Sequence, residues 1–181
     1  MGQCIRKELA NQKKQSSKGQ RKSIQENKNF DLNQFIQDSL NKHNELRKLH
    51  SVPELKINKD LNRIAQKYAE YLASKDIFQH SKNKYHEENL GENLFLCEGM
   101  LLNGNMMTED WYNEINDYNF KKPESTNNVG VCGHFTQVVW KDTKEVGFGG
   151  ALSKKGRWYA VGNYYPAGNV LNDFGKNVIK I

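Results

Sequence analysis

The apolar spacing of this chain changes period once, and that change limits the folds open to it. Up to Tyr118 most apolar residues recur at helical intervals, and beyond Glu145 they run as two short strand-like segments. The first stripe holds Leu32, Phe35, Ile36, Leu40 and Leu46, with His43 on the same face. Asp31 stands before it as an N-cap, and Gln34 follows three residues on, as in a capping box. The stripe stops near Ser51-Val52-Pro53, because proline disfavours helix in the residue before it. A second stripe (Leu61, Ile64, Ala65, Tyr68, Leu72) begins near Asn58 and ends before His80. A third, over Asn105–Tyr118, holds Met107, Trp111, Ile115 and Tyr118. Residues 81–90 and 119–132 read as polar loops, and Gly133–Trp140 as a short amphipathic helix. Asn93–Cys97 is an apolar run that suits helix or strand. Glu145–Leu152 and Trp158–Tyr165 read as strands joined by the turn Ser153-Lys154-Lys155-Gly156. Helices followed by strands predict an α+β domain, with helices covering an antiparallel sheet.

Residues 1–29 fall outside this pattern. They are rich in Gln, Lys, Ser and Asn and have too little apolar surface to offset the entropy of ordering. The expected organisation is a flexible basic tail, 1–29, before one domain, 30–181. The net charge of +6 follows the same division. Residues 1–30 carry eight basic and two acidic side chains, whereas the remaining 151 carry nineteen of each. A basic folded surface for nucleic acid is therefore disfavoured. No apolar run reaches the ~18–20 residues of a membrane span, and none follows Met1 as a signal peptide would require. Cys4, Cys97 and Cys132 are too few and too scattered for a disulfide framework, so a cytosol-facing protein with reduced thiols is expected.

The sequence contains no HExxH, GxSxG, CxxC or phosphate-binding glycine loop. His43, inside a helical stripe, reads as a structural histidine. Glu114 shares its helix face with Trp111 and Tyr118, and a carboxylate there is costly unless paired. His80 lies just past the second helix, Glu92 in Gly91-Glu92-Asn93-Leu94, and His134 at the start of an amphipathic segment. Spacing does not bring these four together. From the residues alone, a capping glutamate and satisfied histidines account for them better, since zinc ligands seldom come from so many elements. The apolar run around Cys97 favours an inert thiol. In the tail, Gly2 permits myristoylation, although Arg6 replaces the usual Ser or Thr, and Cys4 could take a palmitoyl group. Arg6, Lys7, Lys13, Lys14, Lys18, Arg21 and Lys22 would each add about 1 kcal/mol of attraction to an anionic membrane surface. A basic arm on an acidic protein surface, such as a microtubule or ciliary assembly, is the alternative.

Four segments resemble the motifs of the CAP superfamily, which groups cysteine-rich secretory proteins, antigen 5 and pathogenesis-related 1 proteins. They are His43-Asn44-Glu45-Leu46-Arg47, Gly91-Glu92-Asn93-Leu94, the stretch from Gly133 to Thr143, and the stretch from Tyr159 to Asn169. Gly162 stands where secreted members carry a cysteine, and the sequence is most similar to the family's Golgi-associated type, which lacks a signal peptide. The resemblance implies a three-layer α-β-α sandwich and a cleft lined by His80, Glu92, Glu114 and His134. It also implies that the histidine pair can hold Zn2+ or another divalent cation, with the glutamates as further ligands or as supports behind the imidazoles. Lipid or peptide in the cleft and a homodimer are further expectations. No motif supplies an activated nucleophile, so the reading favours binding over metal-dependent hydrolysis. The expected location is the cytosolic face of the Golgi or plasma membrane, with cytoskeleton or cilium as the alternative.

Overall fold

The computed structural model describes residues 30–124 and 131–181. The tail residues, including Gly2, Cys4 and the basic positions Arg6 to Lys22, lie outside these, as does the middle of the predicted 119–132 loop.

Helix α1 spans Leu32–Leu49, with the Asp31 carboxylate accepting from the Asn33 and Gln34 N–H groups. The expected capping box is only half made, because the Gln34 amide donates forward to Asp38 instead of back to the cap. Strand β1 (Lys56–Ile57) and helix α2 (Lys59–Lys75) follow, the helix capped by Asn58 and ended by Asp76 in the left-handed conformation. Residues 84–89 form a small hairpin, β2 (Lys84–Tyr85) with β3 (Glu88–Asn89), where a loop was expected. The apolar run around Asn93 is a strand, β4 (Gly91–Glu98). Helix α3 (Gly104–Asn113) passes into a 3-10 turn, Glu114–Asp117, so the predicted third helix is shorter than its apolar stripe. Helix α4 (Gly133–Val138), strands β5 (Glu145–Leu152) and β6 (Arg157–Tyr165), and the short helix α5 (Phe174–Asn177) complete the order.

The four-stranded sheet has the order β1-β5-β6-β4, antiparallel except where β1 pairs with β5. Alternation along β4 and β6 sends side chains to opposite faces. Leu94, Tyr159 and Val161 meet Ala65, Ala69 and Leu72 of α2 on one face. Phe95, Trp158 and Ala160 meet Phe35, Met107, Trp111 and Phe135 on the other. The result is the α-β-α sandwich that the CAP resemblance implies.

The fit of α2 depends on small residues. A Cβ added at Gly147 would lie 2.2 Å from Asn62 N, and one at Gly149 would lie 2.3 Å from Gln66 N. With no side chains there, α2 settles against β5 and its amides reach the strand's free edge. Asn62 accepts from the Phe148 N–H at 2.8 Å, and Gln66 both accepts from the Gly150 N–H and donates to its carbonyl. β1 is only two residues long, so these amides complete a ladder that it leaves open.

Across the sheet, His43 is fully buried. Its Nδ1 meets the Ser39 carbonyl at 2.7 Å and its Nε2 the Tyr164 hydroxyl at 2.8 Å. Burial lowers its pKa to about 3, so it stays neutral in the core, as its place in a helical stripe suggested. Arg47, also buried, donates to the carbonyls of Pro53, Val138, Trp140 and Thr143, tying α1 to the end of α4.

Candidate functional site

Strand β4 is an edge of the sheet, and the two face layers meet around its first residues. His80 follows α2 on one side, and Glu92 stands at the start of β4. Glu114 ends α3, and His134 opens α4. All four line one cleft of about 280 Å³, together with Asn93, Val131, Gly133 and Asn169. The structure thus gathers the residues that spacing alone left apart.

The cleft consists of two histidine–glutamate pairs built alike. His80 Nδ1 lies 2.9 Å from Glu92 Oε1, and the same carboxylate accepts from the Ser81 N–H and hydroxyl. Asn163 approaches it at 3.4 Å. Burial pushes the Glu92 pKa upward, but hydrogen bonds from His80 and Ser81 outweigh it, and the net shift is down. The hydrogen bond to Glu92 raises the His80 pKa against the pull of partial burial. On the other side, His134 Nδ1 lies 2.7 Å from Glu114 Oε1, while Glu114 Oε2 accepts from the N–H groups of His134 and Phe135.

That last arrangement explains the carboxylate on an apolar helix face. Cys132, the N-cap of α4, makes no side-chain cap. Glu114 supplies it from another element, and the negative charge suits the helix N-terminus. Asn169 secures the same turn by accepting from the Thr136 hydroxyl and donating to the Gly133 carbonyl. The Trp111 indole stacks on the His134 ring at 6.2 Å and donates to the Leu94 carbonyl on the outer edge of β4.

The sequence reading missed Ser81 and Asn169. Ser81 adjoins His80, but only the fold shows its hydroxyl turned to Glu92. Asn169 lies within the segment resembling the second family motif, and its backbone is left-handed, with φ 59°. Burial pushes the Cys97 thiol up to about 11, which fits an inert cysteine.

Both imidazoles spend Nδ1 on a carboxylate, which leaves Nε2 as the ring nitrogen a metal could take. Supporting carboxylates of this kind fix histidine tautomer and orientation in metal sites. The glutamates suit direct ligation poorly, since their oxygens already accept the hydrogen bonds above. Among the described residues, no group of three or more His, Cys, Asp or Glu side chains could hold a metal. The described donor set therefore makes no closed protein cage, and the side chains left to offer a metal are the two imidazoles.

The profile of the cysteine-rich secretory protein family, CAP, matches residues 40–164. Human Golgi-associated plant pathogenesis-related protein 1 is 43% identical over 148 residues, which cover 81% of this chain and 93% of the relative. Among solved structures, Na-ASP-1 superposes with a TM-score of 0.66 at 19% identity, over 76% of this chain and 40% of that one. NaASP2, solved with Zn2+, gives 0.59 at 22% identity, over 80% and 84%. The structures speak for the fold alone. The profile spans most of the domain and the human relative is matched over nearly its whole length: the chain belongs to the cysteine-rich secretory protein (CAP) family.

Proposed function

We propose that this chain is a non-secreted CAP-domain binding protein whose cleft takes a divalent cation, zinc first, and whose basic tail attaches it peripherally to membranes. The observation that carries the cleft reading is the engagement of each histidine by its own glutamate through Nδ1. His80 and His134 would hold the ion through Nε2, and Glu92 and Glu114 would keep the rings aimed and charge-balanced. The bound ion would supply a positive centre with open positions for an anionic or carbonyl ligand. Ser81 donates its hydroxyl proton to Glu92, so it serves as a support for that carboxylate.

The tail reading rests on charge. The excess of basic residues within residues 1–30 sits beside Gly2 and Cys4, and one acyl chain with a polybasic stretch gives stable membrane binding where either alone is marginal. The name of the human relative points to the Golgi as the membrane. No helix of the described residues is long and apolar enough to cross a bilayer. Co-sedimentation with phosphatidylserine vesicles tests this, using chain co-expressed with an N-myristoyltransferase. Binding should weaken on Gly2→Ala and on raising salt. Equal sedimentation of wild type and Gly2→Ala at high salt would remove the anchor.

A further inference from the structure

The sequence holds one Asn-Gly pair, Asn103-Gly104, at the start of α3. The glycine is required by packing. A Cβ there would lie 2.5 Å from Ser39 Oγ and 2.6 Å from both the Phe35 carbonyl oxygen and Ser39 N, so α1 and α3 can touch only at a glycine. The asparagine is required as a cap, its Oδ1 accepting from the Asn105 and Met106 N–H groups at 2.9 and 3.1 Å. Two structural needs thus create a chemically labile dipeptide. In such a pair the deprotonated Gly104 nitrogen attacks Asn103 Cγ, and a C–N bond forms as the Cγ–N bond breaks. Ammonia leaves, taking a proton from water, and water then opens the cyclic imide to aspartate or isoaspartate.

We propose that Asn103-Gly104 is a deamidation site held closed by the native fold, and that its isoaspartate product loosens the element carrying Glu114. Native geometry opposes the attack on both sides. Gly104 is buried against α1, which keeps hydroxide from its N–H, and the Asn103 side chain is turned along the helix by its two cap bonds. The two products differ in consequence. Aspartate caps a helix as well as asparagine and favours its N-terminus. Isoaspartate adds a methylene to the backbone and displaces the cap, eleven residues ahead of the carboxylate that caps α4 and holds His134.

The test is ageing of the full chain in mildly alkaline buffer, with and without concentrated urea, followed by peptide mapping that separates aspartate from isoaspartate. Conversion at Asn103 should run more than about tenfold faster in urea, a ratio set by how seldom the first turn of α3 opens. A smaller ratio, or no conversion in urea, overturns the masked site. After refolding, the isoaspartate fraction should melt below Asn103→Asp, which should match wild type. Equal melting of the isoaspartate fraction and wild type overturns the structural consequence.

Discussion

His80 is held in the cleft by the Glu92 carboxylate. Its folded pKa is raised by Glu92, so its contribution to stability is complete below the unfolded value and is lost as pH rises through the folded one. Glu92, with its pKa lowered, contributes above the unfolded carboxylate value and loses that contribution as pH falls through its folded one. The pair therefore stabilises the fold most between the Glu92 and His80 titrations. In an NMR titration, Glu92→Gln should bring the His80 pKa down toward the ordinary histidine value, and Ser81→Ala should shift it less. An unchanged His80 pKa in Glu92→Gln would disprove the pairing. Gly149 tests packing at the same scale. Its added Cβ would meet backbone atoms of Ala65 and Gln66, which no rotamer change relieves. Gly149→Ala should cost about 1–3 kcal/mol in urea unfolding, the range of overpacked cores.

Among the elements, β5 depends most on a neighbour from outside the sheet. Asn62→Ala and Gln66→Ala should each speed hydrogen exchange at Phe148 and Gly150 respectively, while amides bonded to β6 keep their protection. Uniform exchange across β5 would contradict the role given to α2. Most of these elements were legible in the sequence because their signals are local. The stripes of α1 and α2, and the strand segments Glu145–Leu152 and Trp158–Tyr165 set off by the turn Ser153-Lys154-Lys155-Gly156, need no distant partner to be read. What the sequence left unread depends on contact. β1 is two residues long and exists only because β5 lies beside it. The 3-10 turn that shortens α3 places the Glu114 carboxylate at the head of α4, a partner twenty residues away. Asn93–Cys97 was ambiguous because so short an apolar run suits a helix turn as well as a strand, and only the fold shows Leu96 exposed among buried neighbours.

For the whole molecule, β4 is the organising element, because it carries Glu92 at its start, where His80 from beyond α2 and the Glu114–His134 pair from α3 and α4 join it in one cleft. From the residues alone, Glu114 was marked only by the cost of a carboxylate on an apolar face, and His80 and His134 carried no sign of their meeting. Resemblance to the CAP motifs brought the four together, and the fold places them in one cleft. At the same scale, the residue where the domain begins lies away from the cleft. Phe30, the first described residue, packs on Trp158, which pairs with Cys97 near the far end of β4 from Glu92. Removing residues 1–29 should therefore abolish vesicle binding and leave zinc affinity within about twofold, since sites without shared partners are independent. The most direct test of the cleft is calorimetric titration of the full chain with zinc, beside His80→Ala and His134→Ala. One ion per chain, with affinity falling at least about tenfold in each variant, is the expected result for an ion shared by two imidazoles. Zinc binding that survives both substitutions, or no binding by wild type, would contradict it.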